Sequence, residues 1–268
     1  MTAPILRVEG ATVRIPGSTH DAVRDVCLDI EQGETVALVG PNGSGKSTTL
    51  ATLAGALSPR EGRVLLAGDD IRSYSRRALA RLVARLPQDP ATPEGVTVEH
   101  VVRFGRHAHS STLRGTDRAG SAAVERALSL VGVADLRRRT METLSGGERR
   151  RAWLAMILAQ EAEVILLDEP TASLNLRHQL ELLSLVGDLN RRLSRTVVIV
   201  LHDLDHAVQV AHRIVLLHRG RLYRHGPARH CLDADALRDV FGVRGHITAD
   251  SDEPRLAIQG LADPRRRF

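Results

Sequence analysis

Lysine occurs once in the 268 residues, at Lys46, although arginine is abundant enough to leave a formal net charge of +5. A lone lysine in so basic a chain has to be explained by its position. Aromatic residues make up only 2% of the chain, so a core must be built chiefly from Leu, Val and Ala. Two cysteines, Cys27 and Cys231, are too few for a disulfide framework or a zinc site and suit a reducing cytosol. No run reaches the ~18 uncharged apolar residues needed to span a bilayer. The opening MTAPILRVEG has no basic segment followed by an apolar one, so no secretory signal is expected.

What is present is ordinary for a globular protein: 43% hydrophobic and 26% charged residues. A chain of this length can bury a full core, as one large domain or two small ones. Its basic balance permits nucleic acid or an anionic membrane surface as a neighbour and decides neither.

Short β-type runs open the chain, at 5–15 and 21–30, and EQGE turns into the apolar run TVALVG, which reads as a buried strand. STTLATLAGAL at 47–57 has helical spacing. EGRVLLAGDDI at 61–71 predicts a hairpin, and SRRALARLVARL at 75–86 an amphipathic helix with arginines on its outer face. From about 90 to 160 the pattern is mostly helical. Strand-like runs return at 163–169, 195–203 and 212–226, the first two separated by a helix at 176–193, with one more short helix in 232–243. The last twenty or so residues are polar and carry no pattern. Strands alternating with helices imply an α/β domain around a mostly parallel sheet, into which the helical block is inserted.

Gly40-Pro41-Asn42-Gly43-Ser44-Gly45-Lys46-Ser47 satisfies G-x-x-x-x-G-K-S/T and is followed by Thr48. Glycines let consecutive backbone N–H groups curl around a β-phosphate, Lys46 reaches the β/γ oxygens, and the Ser47 hydroxyl suits Mg²⁺. A chance match in a glycine-rich turn has odds on the order of one in a hundred at average composition. A strand before the loop and a helix after it make that reading remote, so the chain is expected to bind a nucleoside triphosphate. VILLDEP at 164–170 is an apolar strand ending in two carboxylates: Asp168, suited to holding Mg²⁺ through water, and Glu169, suited to orienting or deprotonating an attacking water. Alone, a buried strand capped by solvated acids would explain it as well. Beside the phosphate loop the catalytic reading prevails, and a water-activating carboxylate favours hydrolysis.

LSGGE at 144–148 is ambiguous. Ser145 and Glu148 form a capping box, and Gly146-Gly147 can simply open a helix. The same residues leave free amides that form an anion site at a helix N-terminus. With this chain's triphosphate already on Lys46, a second site needs another ligand or another molecule's nucleotide.

GPNGSGKST, LSGGE, VILLDEP and the isolated His202 in VIVLHDLDHA, in this order and spacing, resemble the nucleotide-binding subunit of an ABC transporter over residues 5 to 245. The resemblance implies a P-loop NTPase (RecA-like) parallel-sheet core with an N-terminal antiparallel β subdomain and an inserted α-helical subdomain. The boundaries expected are 1–88 and 160–226 for the core, 89–159 for the helical part and 227–268 for a tail. It implies Mg²⁺ and ATP as cofactors, with Gln88 of RLPQDP as the Q-loop glutamine that senses Mg²⁺ and His202 as the switch histidine that contacts the γ-phosphate. TASLN at 171–175 matches the D-loop. Two cassettes, identical or paralogous, would dimerise head to tail, the LSGGE of one covering ATP on the other.

VTVEHVVRFGRHAH, RRAWLAMILAQ and LNLRHQLELLSLV are similar to the ATPases of iron–siderophore, haem and cobalamin importers. That similarity implies a separate integral-membrane permease, a substrate-binding protein, and a peripheral position on the cytoplasmic face of the membrane, with no nucleic acid. The rival is a soluble ABC ATPase working on nucleic acid or ribosomes, though the coiled-coil or zinc insertions and paired cassettes usual there are missing; an ABC subunit for another cargo is also open. A P-loop kinase explains neither LSGGE nor His202. His107, His109, His206, His212, His218, His225 and His230 do not converge on one predicted face and read as surface residues. The arginine runs 137–139 and 149–151 read as solvated or phosphate-adjacent faces.

Three positions depart from the family pattern. Glu148 stands where glutamine is commoner. Asn175 replaces the D-loop aspartate, keeping the ability to cap a helix while losing a charge. Ile15 falls where an aromatic residue usually stacks on adenine, a loss that Arg14 could offset only in part. Nucleotide binding is therefore expected to be weaker or less base-selective, and Ile15→Tyr should tighten it by roughly 0.5–1.5 kcal/mol. Unchanged ATP and GTP dissociation constants in that variant, measured by calorimetry, would overturn this reading.

Overall fold

Apolar residues at every second position begin the chain as sheet. The structure is a computed structural model that describes residues 3–92, 94–109, 118–172, 174–248 and 254–263. It divides into two compact units, Met1–Ile71 with Val198–Phe268, and Arg72–Val197.

In the first unit, β1 (Leu6–Arg14) buries Leu6, Val8, Ala11 and Val13 and pairs antiparallel with β2 (Asp21–Ile30), Leu6 opposite Ile30. β3 (Thr35–Val39) is buried at all five positions, as a strand covered on both faces must be. It runs straight into the phosphate loop and α1 (Lys46–Leu53). β4 (Glu61–Leu66) takes the other edge of β1, and the two-residue β5 (Asp69–Asp70) closes the expected hairpin.

The second unit opens with α2 (Arg76–Leu82), capped by Ser75, whose hydroxyl accepts from Ala78 N. The helix expected through residue 86 ends there. Val83 turns extended, and β6 (Val83–Leu86) pairs parallel with β7 (Val164–Asp168), Val83 opposite Val164 and Leu86 opposite Leu167. Leu79, Leu82, Val83 and Leu86 have helical spacing, but the same run buries Val83, Ala84 and Leu86 in a sheet. The ladder on β7 decided between two patterns that the apolar positions satisfy equally well.

Between these strands lie α3 (Val98–Phe104), α4 (Arg118–Leu130) and α5 (Gly146–Ala159). α3 and α4 both pack on α5. α5 is apolar in its second half, burying Ala152, Trp153, Leu154, Ala155, Ile157 and Ala159. α6 (Leu176–Leu193) follows β7 with one apolar face, and the first residues of β8 (Thr196–Val200) lie beside β7. Arg137 is not simply solvated: it donates to Glu99 at 3.1 Å and to Glu125 at 2.6 Å, joining α3 to α4. Hydrogen bonds from Arg103 and then Arg137 hold Glu99 below the usual carboxylate range.

Back in the first unit, the end of β8 lies beside β3, and Leu201 N donates to Leu38 O at 3.2 Å. α7 (Leu204–Val210) leads to β9 (Arg213–His218), which runs parallel to β3, and β10 (Arg221–Gly226) returns antiparallel, so the single strand-like run expected at 212–226 is two strands. After α8 (Ala228–Cys231) and α9 (Ala234–Phe241) comes β11 (Val243–Ile247). The polar tail is not without regular structure. β12 (Leu256–Leu261) pairs with β11, Val243 opposite Leu261, and is pinned where Leu256 N donates to Asp205 Oδ1 at 2.9 Å. Its partner's backbone, rather than its own alternation, makes it a strand.

Gly105, just beyond α3, brings that helix against α5: a Cβ there would lie 2.1 Å from Met156 O and 3.2 Å from Gln160 N. Backbone cannot yield as a side chain can. Gly105→Ala should therefore lower stability by about 1–3 kcal/mol, read as a fall in the urea midpoint at unchanged slope.

Candidate functional site

The phosphate loop is shaped by two glycines that no other residue could replace. Gly40 has φ +146°, and a Cβ there would sit 2.1 Å from Leu217 O and 2.8 Å from Ser44 Oγ. Gly45, at φ +100°, would place a Cβ 2.7 Å from Ala22 O. Ser44 N donates to Pro41 O at 3.2 Å, closing the turn around Asn42 and Gly43, which are exposed. Lys46 is 5% exposed and donates through Nζ to Gly40 O at 2.8 Å and Pro41 O at 3.0 Å. The ammonium is thus folded back over the loop. Gly45 caps α1 without a side-chain acceptor, at the helix end whose dipole favours an anion, and Ser44 Oγ is buried without a hydrogen-bond partner. These features fit a bound phosphate chain. Ser47 and Thr48 follow in the first turn of α1, Thr48 buried.

His202 also belongs to the first unit, exposed between β8 and α7. Asp203 beside it caps α7, its carboxylate accepting from Asp205 N at 2.8 Å and His206 N at 3.2 Å. Ile15 is 45% exposed, and Arg14 is engaged with Asp21 at 2.9 Å.

In the second unit, β7 delivers its two carboxylates at its end. Asp168 is 2% exposed, a hard carboxylate oxygen donor of the kind Mg²⁺ takes, with Arg85 Nη2 at 3.6 Å beside it. Glu169 is 8% exposed and has φ +47°, a left-handed conformation that costs a residue with a Cβ about 1–2 kcal/mol. Its Oε2 accepts from Gln88 Nε2 at 2.7 Å. Gln88 and Glu169, 81 residues apart in sequence, are therefore side by side.

Beneath them lies a residue that reading the sequence for motifs missed. Arg150 was expected on a solvated or phosphate-adjacent face and is 8% exposed. It donates to five backbone carbonyls: Pro87 and Gln88 on one side, Asp168, Glu169 and Pro170 on the other. Burial lowers its pKa, opposed by Asp168, Asp89 and Glu169. A signal was available. Three consecutive arginines span roughly 200° of helix, so on a helix whose following turns are buried on most sides one of them has to turn inward.

The signature segment starts α5 with the full capping box. Ser145 Oγ accepts from Glu148 N at 3.3 Å, and Glu148 Oε2 accepts from Ser145 N at 2.8 Å. Those bonds to Ser145 hold the Glu148 carboxyl below its usual range. A Cβ at Gly147 would lie 3.1 Å from His178 Nδ1, whereas at Gly146 it would meet nothing within 4 Å. Asn175 caps α6, its side chain accepting from His178 N at 3.0 Å. Ser173, within TASLN, lies outside the described residues.

The histidines are not all on the surface. His206 is buried, and His109 is half-buried with Nε2 2.8 Å from Gln160 O. Among the described residues no group of three His, Cys, Asp or Glu side chains could hold a metal ion.

The model of the family described as "ABC transporter" matches residues 23–172. The chain is 41% identical over 228 residues to the probable siderophore transport system ATP-binding protein YusV of Bacillus subtilis, covering 85% of this chain and 83% of that one. It is 35% identical over 250 residues to the ferric enterobactin transport ATP-binding protein FepC of Escherichia coli, covering 93% and 92%. Among solved structures it is similar to the dimeric cassette MJ0796, a bacterial ABC transporter cassette, with a TM-score of 0.75 and 25% identity over 84% of this chain and 99% of that one. A phosphate loop that tolerates no Cβ at Gly40 or Gly45, a strand ending in Asp168 and Glu169, and these likenesses make one conclusion: the chain belongs to the ABC transporter family, as its ATP-hydrolysing cassette.

Proposed function

We propose that the chain binds and hydrolyses ATP to energise a membrane importer for iron–siderophore cargo or the related haem and cobalamin class. The cargo class rests on the siderophore and enterobactin systems to which the relatives belong. Gly40 to Thr48 cradle the triphosphate, with Lys46 on the β/γ oxygens. Mg²⁺, held by Ser47, Gln88 and Asp168, would neutralise charge on those oxygens. Glu169 accepts the proton of the attacking water, oriented by the hydrogen bond from Gln88, and His202 contacts the γ-phosphate. The whole chain acts as one cassette: a core of 1–88 and 160–226, a helical part of 89–159 and a tail of 227–268.

One observation carries the partner reading. Gly146 is exposed, has no positive φ and opens onto free space, so nothing in this chain's own packing asks for a glycine there. A glycine at the start of a capped helix with room beside it admits another molecule's phosphate against the amides of residues 146 and 147, beside the Ser145 hydroxyl. Ser145, Gly146, Gly147 and Glu148 are thus assigned to the nucleotide of a second cassette, in a head-to-tail dimer. No helix among the described residues is long and apolar enough to cross a membrane. On the reading taken from the relatives, the channel belongs to a separate permease subunit, cargo is delivered by a substrate-binding protein, and the cassette works at the cytoplasmic face.

Glu169→Gln should bind ATP, stall hydrolysis by at least ~100-fold and accumulate as a dimer, while Lys46→Ala should fail to bind productively. Sizing with MgATP and phosphate release measure both. A Glu169→Gln protein that stays monomeric counts against the dimer. Recovery from detergent extracts with RNA or ribosomes, and never with a polytopic membrane protein, counts against the transport role.

A further inference from the structure

Among the described residues the buried charged side chains are Lys46, Arg150, Asp168 and Glu169. Three have parts in binding or hydrolysis; Arg150 has none assigned. Its surroundings are specific. Nη1 donates to Gln88 O at 2.7 Å and Pro87 O at 3.3 Å. Nη2 donates to Asp168 O at 2.8 Å and Glu169 O at 2.9 Å, and Nε to Pro170 O at 3.3 Å. None of these acceptors is a carboxylate. Among the described residues the guanidinium has no carboxylate hydrogen-bond partner; it gathers the backbones of two loops.

Those two loops carry the side chains that meet at 2.7 Å, Gln88 Nε2 and Glu169 Oε2. One of them is also strained. Glu169 has φ +47°, a conformation that a residue with a Cβ leaves unless something holds it. Its carbonyl accepts from Ala172 N at 3.1 Å and from Arg150, and the carbonyl before it accepts from Arg150 as well. The guanidinium is a rigid planar fork, which fixes the acceptors of both loops relative to each other. Arg150 also stands five residues after Ser145, on the helix whose first turn holds the capping box, so any shift of that helix is passed to Gln88 and Glu169 together.

We infer that Arg150 is a positioning residue for hydrolysis. It holds Glu169 in its left-handed conformation opposite Gln88 and couples that pair to the start of α5. This rests on the assignment of Glu169 as the base. Removing the fork lets the Glu169 backbone relax and its carboxylate move from the hydrogen bond with Gln88. A displacement of about 1 Å at a catalytic group costs on the order of 100-fold in turnover.

The test is steady-state ATP hydrolysis by the full chain, with Arg150→Lys, Arg150→Met, Gln88→Ala and the Arg150→Lys/Gln88→Ala double variant, together with nucleotide affinity and thermal midpoint. The expected result is a fall in kcat of ten- to a hundred-fold with KM for ATP within about two-fold. Lysine should not rescue, because one ammonium has three donors and cannot span five carbonyls. The double variant should be no slower than the slower single one, as for residues acting through one geometry. Full rescue by lysine, multiplying effects in the double variant, or a loss confined to KM would overturn the proposal. So would failure of both Arg150 variants to fold, which would make the clamp purely structural. Glu169→Gln separates the layers: full turnover there removes the base assignment itself. A dead Glu169→Gln beside fully active Arg150 variants removes only the positioning role.

Discussion

A guanidinium buried among five backbone carbonyls cannot withdraw without stranding them, and Arg150 is in that position. The second unit arranges itself around this constraint. β6 must end where Pro87 and Gln88 can turn their carbonyls toward α5, and β7 must end where Asp168, Glu169 and Pro170 do the same. The guanidinium's hydrogen bonds go to backbone acceptors, while the charges of Asp168, Asp89 and Glu169 favour its protonated form from nearby. Glu169 spends its oxygen on Gln88 instead, in a conformation that the chain would not hold unaided.

The first unit solves a different problem, that of exposing backbone amides without collapse. Gly40 and Gly45 let the loop pass within van der Waals contact of Leu217 O and Ala22 O, where any side chain would push it out. β3, buried throughout, fixes the point from which the loop departs. The single lysine of the chain is then accounted for: its ammonium lies over the carbonyls of Gly40 and Pro41. Where arginine serves everywhere else, a compact, flexible point charge suits this place better than a planar fork.

Much of this was legible beforehand. The strand at 21–30, the helix at 176–193 and the hairpin at 61–70 follow from apolar spacing and turn residues alone. Ser145 and Glu148 were legible as a capping box because that bond pattern is local, three residues apart. Two elements were not. Val83–Leu86 has apolar spacing that fits helix or strand equally, and only the ladder on β7 chose. Leu256–Leu261 has no pattern of its own and is a strand through β11. His206 looked like a surface residue because a single histidine carries no period by which to place it, and it is buried.

By itself the sequence determined which residues could do chemistry: the phosphate loop, the carboxylate pair, Gln88, His202 and the signature. Each is a short pattern whose residue types are demanded by phosphate, water or a helix end, and such demands are written locally. Only the tertiary structure decided that Gln88 lies on Glu169, that Arg85 faces Asp168, and that the middle arginine of three turns inward to hold them. Those relations span from about 20 to more than 80 residues of chain and run largely through backbone carbonyls, which every residue possesses and which no sequence pattern can mark.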